Sequence, residues 1–81
     1  MMQSDWSKIV EILQDKNLIR DPQKLKVDVT FQAQDIDSLD LAGVFLAIED
    51  EFKIKLLDNP VRRPKSFRDI LGVIERSRAN A

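Results

Sequence analysis

Asp35-Ile36-Asp37-Ser38-Leu39-Asp40-Leu41 runs without a break into Ala42-Gly43-Val44-Phe45-Leu46-Ala47-Ile48-Glu49-Asp50-Glu51-Phe52. At about 100° per residue, Leu41, Val44, Phe45, Ile48 and Phe52 fall in one arc roughly 100° wide, the width of a core-facing helix stripe. The spacing therefore predicts a helix from about Ser38 to Phe52. Leu39, Ala42 and Leu46 form a second apolar stripe outside that arc. It admits two readings: packing against another part of the chain, or docking a partner beside Ser38. Asp40, Ala47 and Glu51 occupy the remaining face. Gly43 is unexpected in mid-helix, where an exposed glycine costs about 1 kcal/mol against alanine.

Upstream, Trp6, Ile9, Val10 and Leu13 recur at helical spacing with Ile12 alongside, which predicts a helix from about Ser4 to Ile19. Ser4 suits the N-cap. Asp21-Pro22 is the expected stop, because the residue before proline disfavours α geometry. Between the helices, Leu25, Val27, Val29 and Phe31 alternate with Lys26, Asp28 and Thr30 like a strand. No second strand is legible to pair with it, and a lone strand leaves its backbone groups unpaired. Residues 20–37 are therefore expected as a long extended loop whose apolar side chains plug gaps between helices. Downstream, Asp58-Asn59-Pro60 and Arg62-Arg63-Pro64 punctuate a connector over 53–65, with room for one short helical turn between the prolines. Ser66-Phe67-Arg68-Asp69 resembles a capping box with Asp in place of Glu or Gln. It opens a last helix to about Arg76, with Phe67, Ile70, Leu71 and Ile74 as its buried stripe. Residues from Ser77 onward are expected to fray. The pattern is all-α, a single domain over residues 1–81.

Eighty-one residues, 43% hydrophobic and 33% charged, suit one soluble domain with a small core. The chain has no cysteine and no histidine. That excludes a disulfide scaffold and a thiolate metal site. The longest apolar-rich run is too short to span a bilayer, and the N-terminus lacks a signal-peptide pattern. The cytoplasm is the expected location. Net charge is −1, yet residues 28–51 hold seven acidic and no basic groups, while residues 52–81 hold eight basic and three acidic ones. The acidic block argues against nucleic acid near Ser38.

Enzyme chemistry finds little support. A serine nucleophile needs an adjacent base, and none is near Ser38. The two glycines lie inside helices rather than in a phosphate loop. A carboxylate pair for glycoside chemistry needs a cleft that so small a domain rarely offers. An EF-hand begun at Asp35 fails, with Asp40 where glycine belongs and Leu46 where a bidentate glutamate belongs. No metal site is expected. Ser38 is then either an ordinary helix cap or a group that another enzyme modifies. A phosphodiester there would meet free backbone N–H groups and the positive end of the helix dipole.

Asp37-Ser38-Leu39-Asp40 followed by Ala47-Ile48-Glu49-Asp50-Glu51-Phe52 resembles the acyl carrier protein family. That family's pattern is Asp-Ser-Leu opening a helix that ends in Leu/Ile-Glu-(Glu/Asp)-Glu-Phe. The resemblance covers nearly the whole chain. It implies a four-helix bundle, three longer helices and one short one, with a long first loop. It implies 4′-phosphopantetheine from coenzyme A, attached covalently to Ser38 by a phosphopantetheinyl transferase. Asp37 would help bind the transferase's Mg²⁺. The arm's thiol would carry acyl groups between acyl-loading and acyl-transfer or condensing enzymes, with the protein itself a monomeric carrier and no enzyme. Leu39, Asp40, Ala42, Leu46 and Glu49 map to the partner-facing side of the Ser38 helix, which favours docking for the second stripe. There are departures. Ala33-Gln34-Asp35 stand where the family often has Asp-Leu-Gly, and Gly43 where many members place an acidic contact. Lys53, Lys55, Arg62 and Arg63 make the connector basic, which points to a specialised carrier whose partners read Arg62 and Arg63. An aminoacyl or peptidyl carrier and a small helical adaptor without prosthetic group are the alternatives.

Overall fold

The computed structural model describes residues 4–19, 21, 24–57 and 63–79. The described residues form three helices, α1 (Asp5–Asp15), α2 (Ser38–Phe52) and α3 (Phe67–Ala79). The architecture is all-α. The short helical turn expected between Pro60 and Pro64 cannot be placed, because residues 58–62, Arg62 among them, lie outside the described residues.

α1 starts where its cap predicts: the Ser4 side chain accepts from the Ser7 N–H at 3.1 Å. Its end is corrected. The helix stops at Asp15, four residues before Ile19 and well ahead of Asp21-Pro22. Asn17 turns left-handed at φ 53, and the Leu18 N–H reaches back to the Leu13 carbonyl at 3.1 Å. Asparagine tolerates this conformation at a helix terminus, and the backward bond satisfies a carbonyl the helix would leave open. Leu18 then packs onto the core and explains Gly43: a Cβ at Gly43 would lie 3.0 Å from the Leu18 Cδ2.

α2 matches its predicted span. Val44, Phe45 and Ile48 are buried, and Leu41 and Phe52 are half-buried. α3 begins at Phe67 behind Ser66, whose Oγ accepts from the Asp69 N–H at 3.3 Å. Asp69 reaches back one residue further than the usual box, accepting from the Lys65 N–H at 2.9 Å. The helix continues past Arg76 to Ala79. There the Arg78 guanidinium grips both carboxylate oxygens of Asp5 at 2.9 and 3.0 Å. That fork ties the end of α3 to the start of α1 and holds a turn that would otherwise fray. Lys8 and Glu51, 3.1 Å apart, link α1 to α2.

The core gathers Ile9 and Leu13 of α1, Val44, Phe45 and Ile48 of α2, and Phe67, Ile70 and Ile74 of α3, with Ile54 and Leu56 from the connector. Phe31 completes it from the first loop and is only 4% exposed. Its ring meets Phe67 edge-on at 4.9 Å and Phe45 at 5.6 Å, and Phe67 meets Trp6 at 5.1 Å. Edge-to-face pairs at these separations add attraction beyond the area they bury.

Candidate functional site

The loop that delivers Ser38, expected from the sequence as an extended segment plugging gaps between helices, folds through turns over residues 27–28 and 31–35. Burial alternates as the residues suggest: Leu25, Val27 and Val29 half-buried, Lys26, Asp28 and Thr30 exposed. The backbone groups find partners elsewhere. Thr30 forms an antiparallel bridge with Ser66, and the Phe31 N–H donates to the Lys65 carbonyl at 2.8 Å. The Arg68 N–H donates to the Val27 carbonyl at 3.0 Å. Gln34 does the rest. Its Oε1 accepts from the Lys26 N–H, and its Nε2 donates to the Lys26 and Val29 carbonyls, all at 2.8 Å. One side-chain amide thus offers the loop the donor and acceptor of a neighbouring strand.

A tight turn follows. The Thr30 Oγ1 accepts from the Ala33 N–H, and the Ile36 N–H closes onto the Phe31 carbonyl at 3.1 Å. Asp35 makes that closure by adopting φ 60. This is the position where carrier proteins often have glycine, the residue that enters the left-handed region without penalty. Aspartate is among the few others that tolerate it. The turn therefore forms without its glycine, and Ile36 seats on the core.

Asp37, not Ser38, is the N-cap of α2: its Oδ1 accepts from the Leu39 N–H at 3.3 Å. This removes the reading of Ser38 as an ordinary cap. Ser38 is the first helical residue, exposed, and its Oγ donates to the Asp37 Oδ1 only at 3.5 Å, the outer limit of a hydrogen bond. Phe31, Ile36, Asp37 and Leu41 border a shallow depression around it. Among the described residues no group of three carboxylates is assembled as a metal site.

Among the described residues, nothing covers the second stripe of α2. Leu39 is 82% exposed and Leu46 59%, with Ala42 and Asp40 also exposed. Glu49 is half-buried, and its Oε2 accepts from the Leu56 and Leu57 N–H groups at 2.6 and 3.2 Å. It fastens the connector to α2, a role its sequence position did not disclose. Leu46 and Glu49 share a groove with Lys53, Lys55 and Leu57, so the basic connector adjoins the exposed stripe. Arg63 faces elsewhere, lining a groove with Arg68 and Arg76 of α3.

One ion pair joins the first loop to α3. Arg68 Nε lies 2.8 Å from the Asp28 Oδ1, and that hydrogen bond and charge hold the Asp28 carboxyl below its ordinary pKa. No described helix is long and apolar enough to cross a membrane.

Comparison with known proteins finds relatives of one kind. The chain is 31% identical over 77 residues to an acyl carrier protein of Phaeodactylum tricornutum, covering 94% of this chain and 100% of the relative. It is 32% identical over 76 residues to one of Thermosynechococcus vestitus, covering 91% and 93%. Over 51 residues it is 41% identical to one of Streptococcus thermophilus, covering 63% and 68%. No family model and no solved structure matches the chain.

Proposed function

The chain belongs to the acyl carrier protein family, a family of carriers and not enzymes, and from that premise we propose that it is a discrete carrier with 4′-phosphopantetheine attached at Ser38. The observation that carries this reading is the position of Ser38, exposed at the first turn of α2 with only a long bond to Asp37. A phosphodiester at that atom would sit against the open N–H groups and positive end of α2. Attachment would join the Ser38 Oγ to the phosphorus of coenzyme A's pantetheine arm, with adenosine 3′,5′-bisphosphate leaving and the hydroxyl proton passing to the transferase. The bound group supplies a thiol that carries an acyl chain as a thioester. The protein's part is recognition. Asp37 holds the helix start and would present its second oxygen to the transferase's Mg²⁺. Leu39, Asp40, Ala42 and Leu46 would dock partner enzymes, and an exposed apolar pair beside the modified residue supports that use. Glu49 would serve at the rim through its free oxygen.

The remaining parts of this reading are the family's: a fourth, short helix between α2 and α3, a long first loop, a monomer, the cytoplasm, and service in fatty acid, polyketide or related lipid synthesis. Lys53 and Lys55 beside the exposed stripe favour partners other than those of an acidic carrier. The test is mass spectrometry of the intact protein after incubation with coenzyme A, Mg²⁺ and a broad-range phosphopantetheinyl transferase. One phosphopantetheine adduct is expected, absent in Ser38→Ala. No adduct, or one that survives that substitution, overturns the proposal and leaves the helical adaptor. Loading by amino acids but not acyl groups would move the protein to the aminoacyl carriers.

A further inference from the structure

Among the described residues, nothing fills the space beside Gly72 of α3. Gly72 lies in mid-helix, where glycine is the poorest residue short of proline. Gly43 has a reason in Leu18, but a Cβ at Gly72 would meet no described atom within 4 Å beyond its chain neighbours and its own helix backbone. The described residues therefore give no packing reason for this glycine. Gly72 and Val73 form the floor of a shallow groove whose rim holds Arg63, Lys65, Arg68 and Arg76. Two carboxylates temper this charge: Asp28 pairs with Arg68, and Asp69 lies at the rim, accepting from the Lys65 N–H. Among the described residues, the side chains of Arg63, Lys65 and Arg76 form no ion pair.

Arg68, Gly72 and Arg76 stand at i, i+4 and i+8, one stripe of α3, with the two arginines about 12 Å apart along the axis. A glycine between two long cations leaves a notch into which a second backbone can come closer than any side chain would allow. We propose that this groove docks an acidic helix of a partner protein, crossing α3 at Gly72 with its carboxylates on Arg63, Lys65 and Arg76. Charge complementarity selects that occupant. A second copy of this chain would have to seat its own acidic helix, α2, on α3, and self-association is the outcome that the sedimentation measurement below reads. The groove is remote in sequence from Ser38 and requires no prosthetic group, so the unmodified chain carries the test.

The probe is a synthetic helical peptide of alanine with glutamate at every fourth position, titrated into isotope-labelled protein by NMR. Shifts are expected at residues 63–76, with affinity falling as salt rises. Arg76→Gln should weaken binding up to about fivefold, the range of a single exposed ion pair. Gly72→Ala is the discriminating variant. It should raise Tm, as a better helix former, and weaken peptide binding together. A glycine required by the fold would lower Tm instead. Four results overturn the proposal: no peptide binding, shifts centred on α2, tighter binding to anionic phospholipid vesicles than to the peptide, or a dimer in sedimentation without peptide.

Discussion

Replacing Gln34 asks whether one side-chain amide holds the loop that delivers Ser38. The amide makes three hydrogen bonds of 2.8 Å to the backbone of Lys26 and Val29. The two at Lys26 are exposed, and water can take over much of their role. The one at Val29 is part-buried, and leaving its carbonyl bare is the larger loss. Counting about 1 kcal/mol for the part-buried bond and a few tenths for each exposed one, Gln34→Ala should cost about 1–2 kcal/mol. For a domain of this size that is a Tm decrease of roughly 5–15 °C. Gln34→Glu sharpens the reasoning, because it keeps shape and volume. Its carboxylate can still accept from the Lys26 N–H, but its other oxygen then faces two carbonyl oxygens where an N–H group had donated. At pH 7 it should destabilise more than alanine despite being the closer isostere. The carbonyls raise the introduced carboxyl's pKa above its unfolded value of about 4.3. The excess penalty therefore stands at pH above that raised value and disappears as pH falls through it, when protonation restores a donor. Melts of both variants and the parent at pH 7 and pH 4, with amide exchange at Lys26, measure all of this. If the glutamate variant matched the parent at pH 7, or the alanine variant kept its Tm, the amide would not be holding the loop.

Asp35→Gly should stabilise the protein by about 0.5 kcal/mol, as relief of the left-handed aspartate outweighs the added freedom of the unfolded chain, whereas Asp35→Val should cost more than about 1 kcal/mol; urea unfolding measures both. Gly43→Ala should be nearly neutral, since a helix gain of about 1 kcal/mol meets the Leu18 side chain, and in a Leu18→Ala background the gain should reappear in a double-mutant cycle. Asp28→Asn should lower Tm at pH 7. Because the Asp28 pKa lies below its unfolded value in the folded state, the stability it adds is present above that unfolded value. The gap between parent and variant should close as pH falls below about 4, and a gap unchanged at pH 2 would refute the Arg68 pairing as its source.

What could be read from the residues follows from how far each signal reaches. The span of α2 was legible because its buried face repeats within the segment, but its cap was not: the sequence offered Ser38, and the structure uses Asp37. α3 was legible at its start, where its cap, Ser66, adjoins it. Its end was not, since the fork from Arg78 to Asp5 joins residues 73 positions apart. The end of α1 was misplaced by giving Pro22 priority over Asn17, although asparagine before Leu18 is itself a local stop signal. The first loop was the hardest part. Its alternating burial was visible, but the partner for its backbone is a side chain, Gln34, and a single bridging residue, Ser66, neither of which follows from a periodic pattern.

The same contrast applies at the candidate site. Ser38 stood out as a serine with no activating base, and the structure leaves it exposed with Asp37 as the cap. The exposure of Leu39 and Leu46 had no signal in the spacing, which left packing and docking equally open; their exposed side chains count against packing. Glu49 shows the limit most clearly. Its place in an acidic run suggests a solvated partner contact, yet its carboxylate is the anchor for two backbone N–H groups of the connector. Losing that anchor frees Leu56, which is buried in the core. Glu49→Gln keeps an acceptor but weakens a charged hydrogen bond, and should cost about 1 kcal/mol of stability. If it impaired partner transfer while leaving Tm unchanged, Glu49 would be a recognition residue first. A matched loss of both would make its structural role the prior one.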